Sequence, residues 1–177
     1  MLHPPDLPED VLDRIAGEIG PRLAALLPEE DRGLRAELGE GFPCWALDER
    51  TLATDGSLGA SARDLGIWHH QLLLDGRPAA FARSYVRPPE PLHVEVAAVG
   101  LSDVAKEIAA AAEWARANVS GDFGARLLLI PSRHVAVLWL VSKEEEVVVV
   151  ARKPQAAVGL ETERAYAAGD FAARLGR

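Results

Sequence analysis

The sequence predicts an α+β fold in which helices pack on an antiparallel β-sheet. Three apolar, strand-like segments lie at residues 67–74, 79–86 and 92–99, and three more lie within residues 126–153. An alanine-rich segment, residues 102–118, separates the two sets. Short apolar runs between turn residues are typical of strands, whereas a long alanine-rich run favours a helix. We therefore expect two three-strand sets in βββα-βββα order, preceded by short N-terminal helices.

The first 41 residues (1–41) are expected to form an acidic helical segment. Asp6 followed by Glu9 resembles a capped helix start, and apolar residues at helical spacing come next. Gly20-Pro21 is expected to end this helix, and a further one is expected over residues 28–38. Because helices this short are unstable alone, we expect them to pack on the sheet.

The remaining segments complete a single α+β domain over residues 1–177. Residues 42–66 show no consistent pattern, and we expect them to be irregular as a whole, although Phe42 to Leu47 could form a strand and residues 54–57 are typical of a turn. The sheet is expected over residues 67–153, with Ser102 as the N-cap of its helix. Apolar residues at helical spacing predict a last helix over residues 160–175.

Asp75-Gly76 is the strongest hairpin signal in the chain. It lies between two strand-like runs and suits a two-residue turn in which both residues have positive φ. With this turn, Leu74 faces Arg77, and an uninterrupted ladder then determines which side chains share a face. That face is expected to carry Trp68, His70, Leu72, Phe81, Arg83 and Tyr85.

This predicted hairpin face is the best candidate for a binding site. Arg83 would supply positive charge, and Trp68 or Tyr85 would stack on a small planar anion. The alternative interpretation is a core-facing surface with Arg83 across Trp68 as an ordinary cation–π contact. The candidate ligand-binding residues are Trp68, His70, Phe81, Arg83 and Tyr85; no catalytic residue can be assigned.

Sequence motifs give no cofactor or metal. The chain contains no P-loop, GxGxxG, GxSxG or HExxH pattern and no paired CxxC. His93 and Glu95 share a strand face, but no third metal ligand lies near them in the sequence. Cys44 is interpreted as a buried, inert thiol. We therefore expect neither a metal ion nor a cofactor.

Composition and charge indicate a cytoplasmic protein that binds no nucleic acid and no membrane. The net charge is −8, and the first 64 residues carry 14 acidic and 6 basic side chains. An acidic surface disfavours phosphate binding. The acidic N-terminal charge is interpreted as a solvated helical face, and a docking surface for a basic partner is the alternative. No apolar run is long enough to span a bilayer, the start does not resemble a signal peptide, and there is one cysteine. Sixteen arginines against three lysines suggest a GC-rich bacterial genome.

The segment from Trp68 to Pro88 resembles a hairpin of chorismate pyruvate-lyase, in which an apolar strand, a glycine-containing turn and a Phe-Ala-Arg-like strand recur. The resemblance covers about 20 residues. His70-Gln71 stands where that family has an Arg-Glu pair, and its catalytic C-terminal carboxylate has no counterpart here. The resemblance therefore does not imply the lyase activity.

The leading functional interpretation is a non-catalytic cytoplasmic protein that binds a partner or self-associates. Its sheet or its acidic N-terminal helices would provide the surface. The order of elements is similar to that of bacterial secretion chaperones. The alternative is an enzyme that binds a small planar anion in a pocket over the face with Trp68 and Arg83; whether the chain is an enzyme stays open.

Overall fold

The computed structural model describes residues 2–3, 5–48, 50, 57–87, 93–154 and 159–175. Within these residues the chain forms nine β-strands and three α-helices. The strands belong to one large, mostly antiparallel sheet. The predicted α+β class is therefore confirmed.

The strands and helices have the following bounds along the chain. The strands are β1 (Leu2–His3), β2 (Ala36–Leu47), β3 (Ala62–Leu74), β4 (Arg77–Arg87), β5 (His93–Leu101), β6 (Phe123–Ile130), β7 (Val135–Val141), β8 (Glu146–Arg152) and β9 (Ala165–Ala167). The helices are α1 (Glu9–Leu26), α2 (Asp103–Asn118) and α3 (Ala168–Leu175). Short 3-10 turns lie at Glu29–Asp31 and Pro131–Arg133.

The described strands form one continuous sheet in the order β5-β4-β3-β2-β6-β7-β8-β9, with β1 also paired to β6. Neighbours are antiparallel except where β6 runs parallel to β1 and β2. The prediction of two three-strand sets is therefore wrong, because β2 joins the two halves. The parallel pair requires a long crossover, and β3, β4, β5 and α2 supply it.

The prediction of several short N-terminal helices is also wrong, because α1 is one helix of 18 residues that contains Pro21. Proline removes a helical hydrogen bond and costs about 3 kcal/mol in a helix interior. The apolar stripe nevertheless continues through it, and four of its side chains are buried. Leu23 and the C-cap residue Leu27 follow Pro21 and are buried, and each contributes about 1.5–3 kcal/mol, which together offset the proline penalty. The buried side chains are Val11, Ile15, Ile19 and Leu23.

The second predicted helix does not form, and the segment predicted to be irregular contains strand, including the strand over 42–47 that the sequence left open. Residues 28–38 contain a 3-10 turn and the start of β2, not a helix. Residues 42–66 contain the end of β2 and the start of β3, while 49 and 51–56 lie outside the described residues. Because β2 pairs with β3 on one side and β6 on the other, pairing between distant segments overrides the local pattern.

Helices cover both faces of the sheet. α2 packs on one face, and Ser102 Oγ accepts a hydrogen bond from the Val104 amide at 3.2 Å, as the predicted N-cap requires. α1 covers the β3–β5 half of the opposite face, and α3 covers the β6–β9 half. α3 begins at Ala168, since residues 165–167 form β9; the predicted helix over 160–175 was too long. No helix in the described segments is long and apolar enough to cross a membrane.

Candidate functional site

The β3–β4 hairpin turns where the sequence predicts. Asp75 has φ 46° and Gly76 has φ 74°, and Leu74 pairs with Arg77. Asp75 also fixes the turn to the start of β2, because its carboxylate accepts a hydrogen bond from the Arg35 amide at 2.8 Å. The turn residues and the first cross-strand pair are therefore confirmed.

The register beyond the turn differs from the uninterrupted ladder. Leu73 pairs with Pro78, but Leu72 pairs with Ala80, so Ala79 is an extra residue in β4. Pro78 has no N–H to donate, and a bulge beside it accommodates the missing bond. One inserted residue moves every later side chain of β4 to the opposite face.

The bulge separates the five candidate residues. Trp68 and His70 alternate with Leu72, which packs against α1, and they lie on the α1 face. The other three lie on the α2 face, because each pairs with a β3 residue whose side chain lies on the face opposite Leu72. Phe81, Arg83 and Tyr85 belong to this second group. The prediction that all five share one face is therefore wrong, and a pocket over Trp68 and Arg83 together cannot form; a ligand-binding role for any one of them stays a prediction.

On the α1 face, His70 forms a buried pair with Ser84. His70 Nε2 lies 2.8 Å from Ser84 Oγ, and both residues are fully buried. The Trp68 ring stacks on the imidazole with 6.4 Å between centroids and 13° between planes. Burial lowers the pKa of His70 to about 4, so the imidazole is neutral at pH 7.

On the α2 face, His69 and Arg83 meet at Phe81. The His69 and Phe81 rings stack with centroids 5.5 Å apart, and the Arg83 guanidinium carbon lies 5.5 Å from the Phe81 ring centre. Arg83 therefore contacts Phe81, and the alternative interpretation with Arg83 across Trp68 is wrong. Burial, together with the neighbouring Arg83 and His70, lowers the pKa of His69 to about 3.

The Cys44 thiol lies close to this group. Cys44 is buried, and burial raises its pKa to about 12, although the positive charge of Arg83 opposes the shift. A protonated, enclosed thiol is a poor nucleophile. The interpretation of Cys44 as buried and inert is supported.

The α2 face also holds buried polar atoms without hydrogen-bond partners. Among the described residues, both ring nitrogens of His69, Nε2 of Gln71 and Nε of Arg83 have none. Buried polar groups in proteins are nearly always hydrogen-bonded, so these atoms require an explanation. Sequence reasoning placed His69 and Gln71 opposite the candidate face and left them out. Pro78, which is the second residue after the turn, is the signal that could have indicated the bulge.

A cavity of about 330 Å³ opens between α2 and the hairpin beside Gln71. Its sheet side includes Gly39 and Leu73, and its helix side includes Ala109 and Glu113. An ion pair between Arg116 of α2 and Glu40 of β2 spans the two sides. The cavity therefore lies on the same face as His69 and Arg83.

The β5 edge is a second notable surface. Among the described strands, β5 pairs only with β4, which leaves one side of a nine-residue strand open. Arg22 of α1 donates a hydrogen bond to the Val96 carbonyl, and Glu18 lies 3.6 Å from Arg22. Leu26 and Leu101, which are 46% and 45% exposed, are the exposed large apolar side chains of the described chain.

No group of three or more histidine, cysteine, aspartate or glutamate side chains is placed to hold a metal ion within the described residues. Comparison of the chain with protein-family models, curated proteins and solved structures finds no match.

Proposed function

We propose that this chain is a non-catalytic cytoplasmic protein that binds an extended segment of a partner polypeptide along β5. The open edge of β5 carries the proposal. Alternate residues of an edge strand direct their N–H and C=O groups away from the sheet, where another strand can pair with them. Nine residues provide an edge of roughly 30 Å.

The edge strand at the other end of the sheet, β9, offers a much shorter edge for pairing with an added strand. β9 has three residues, and α3 follows it directly and packs beside it. Short edge strands give an added strand few hydrogen bonds. β5 therefore supports an incoming strand better than β9 does.

Apolar side chains beside β5 favour a bound partner. Leu101 ends β5, and Leu26 lies one helical turn beyond Arg22 on α1, whose buried side packs against Val94 and Val96. Exposed apolar groups beside a polar edge are typical of interaction surfaces. A bound strand would cover both leucines.

Charge indicates the chemistry of the partner. The exposed residues of α1 include Asp10, Asp13 and Glu18, and the first 64 residues carry the whole net charge of the chain. Complementary charge accelerates association and selects partners. We therefore expect an extended segment rich in lysine or arginine.

Selection from a library of random displayed peptides tests this proposal. Selected peptides should be basic, and methylation of alternate backbone nitrogens should abolish binding with a period of two residues, because only every second N–H faces β5. Leu101→Asp should weaken binding about tenfold, and Ala110→Asp, at an exposed position on α2, should not. Failure to select any peptide, or N-methyl effects without this period, would contradict the proposal.

A further inference from the structure

We propose that the surface around Arg126 on β6 is a binding site for a small molecule that carries a carboxylate on a flat aromatic ring. The site lies on the face of the sheet that also carries α1 and α3, and it is independent of the proposed peptide edge at β5. At its centre a partly buried guanidinium lies against two tryptophans.

The Arg126 guanidinium is fixed by aromatic contacts and has no polar partner. Its carbon lies 4.7 Å from the ring centre of Trp45 and 4.9 Å from that of Trp139. Among the described residues, Arg126 forms no hydrogen bond and no ion pair. Its nitrogens are also absent from the fully buried polar atoms that lack partners, so a ligand can reach them. Arginine presents five N–H donors, and a carboxylate accepts two of them side by side.

The strands beside Arg126 provide a flat surface for a ring. Pro43 immediately precedes Cys44, which pairs with Leu127, so Pro43 lies next to Arg126 on the same face. Trp68 of β3 pairs with Pro43 from the other side, and both residues are only partly buried. A ring bound beside the guanidinium would therefore lie on Pro43 and against Trp68, where aromatic contacts add to the affinity.

Gly124 leaves room for the ligand. It lies two residues before Arg126 on β6 and therefore on the same face. Among the described residues, only the Val141 carbonyl oxygen, at 3.6 Å, lies within 4 Å of the place that a Cβ of Gly124 would occupy. The main contacts of α1 are with β5, and those of α3 are with β8 and β9. The surface around Gly124 therefore lies between the two helices.

The charge at this site matches a single carboxylate. Asp64, which pairs with Trp45, and Glu146 lie on this face two strands away from β6, and they accept hydrogen bonds from backbone amides. Neither forms an ion pair with Arg126. One guanidinium balances one carboxylate, whereas a phosphate monoester carries about two negative charges. The flat anion that the sequence analysis assigned to Arg83 would thus be bound by Arg126.

Naphthoate, naphthamide and cyclohexanecarboxylate form a matched set of probes, since the second lacks the charge and the third lacks the flat ring. Titration of ¹⁵N-labelled protein should show naphthoate shifting the Nε–H signal of Arg126 and the indole N–H signal of Trp45. The other two probes should bind at least about tenfold more weakly, because each loses one of the two contacts.

Variants separate the arginine from the aromatic surface. Arg126→Met keeps an unbranched stem over Trp139 without a donor and should weaken naphthoate about tenfold. Arg126→Lys keeps the charge without the planar fork and should have an intermediate effect. Trp68→Leu should weaken naphthoate but not cyclohexanecarboxylate, since it removes only the flat surface. Arg77→Met removes an exposed charge on β4 and should leave binding unchanged.

Three results would overturn this inference. One is naphthoate binding that leaves the Arg126 signal unmoved or survives Arg126→Met. Another is equal binding of naphthoate and naphthamide, which would show a merely aromatic surface. The third is no shift up to the solubility limit of naphthoate, which would mean that the contacts of Arg126 with Trp45 and Trp139 only stabilise the fold.

Unfolding of each variant in urea establishes that it is folded before titration. If Arg126→Met does not fold, Arg126→Lys takes its place, and undiminished naphthoate binding by the lysine variant would equally contradict the bidentate contact. Peptide binding at β5 should be the same in all variants, so failure of this site and failure of the peptide edge are distinguishable.

Discussion

Gly41 lies directly across from His70 in the β2–β3 ladder, and a Cβ at Gly41 would lie 3.0 Å from His70 Nδ1. Cβ atoms essentially never approach other atoms more closely than this. The imidazole is fixed on its other side by the hydrogen bond to Ser84. The glycine therefore makes the room that the buried histidine needs.

Gly41→Ala should lower the free energy of unfolding by about 1–3 kcal/mol, because a methyl group forced into a filled space displaces its neighbours. Gly17→Ala is the matched control, since nothing lies within 4 Å of its added Cβ on the exposed side of α1. That change should raise stability by about 0.5–1 kcal/mol. Urea unfolding measures both. Equal stability of Gly41→Ala and the wild type would mean that His70 is not held as described.

Stability should fall as the pH is lowered from about 6.5 towards 4. His69 and His70 have pKa values of about 3 and 4 when folded, and both take the ordinary value near 6.5 when unfolded. Between these values the unfolded chain binds more protons, so acid favours unfolding. In this pH range each histidine lowers the free energy of unfolding by up to about 1.4 kcal/mol for each pH unit of acidification.

Urea unfolding between pH 7 and pH 5.5 measures this slope. His69→Phe keeps a ring stacked on Phe81 and should reduce the pH dependence, because one of the two titrating groups is gone. His93→Gln, at an exposed position on β5, should leave it unchanged. A slope that His69→Phe does not alter would show that His69 is not buried as a neutral ring.

Ser84→Ala should cost about 1–3 kcal/mol of stability, because it removes the hydrogen-bond partner of a fully buried His70. In a His70→Leu background the same change should cost much less, since no imidazole then requires a partner. Chemical unfolding of the four proteins gives the coupling energy directly. Additive effects would mean that the 2.8 Å contact contributes nothing specific.

The sequence predicted the fold where the determinants are local. Asp75-Gly76 gives a turn through its own backbone preferences, and Ser102 gives a helix start through a side-chain hydrogen bond two residues away. In each case the residues that decide the structure are neighbours in the chain. Such local signals can be recognised in a single sequence.

Prediction failed where the determinants are distant or competing. β2 exists because it lies between β3 and β6, and its partner residues in β6 follow it by more than 80 positions. α1 continues through Pro21 because buried side chains outweigh a local penalty. For the candidate site, one extra residue at Ala79 was enough to divide the predicted group between two faces.

Arg22→Ala should increase association at the β5 edge. Arg22 donates to the Val96 carbonyl, so in the unbound chain it occupies an acceptor that an added strand would use. Positively charged side chains beside edge strands commonly prevent unwanted pairing in this way. Removing the arginine exposes the carbonyl and also leaves Glu18 without its partner at 3.6 Å.

Sedimentation equilibrium should therefore show dimers at about tenfold lower concentration for Arg22→Ala than for the wild type, and the selected basic peptides should bind it more tightly. Glu18→Gln separates the two effects, because it loses the ion pair but keeps the contact to Val96. It should behave as the wild type in sedimentation. Arg32→Ala removes a comparable exposed charge beyond the end of α1 and should also leave association unchanged. Equal association of all four proteins would mean that Arg22 does not protect the edge, and the pairing site would then have to be sought away from Val96.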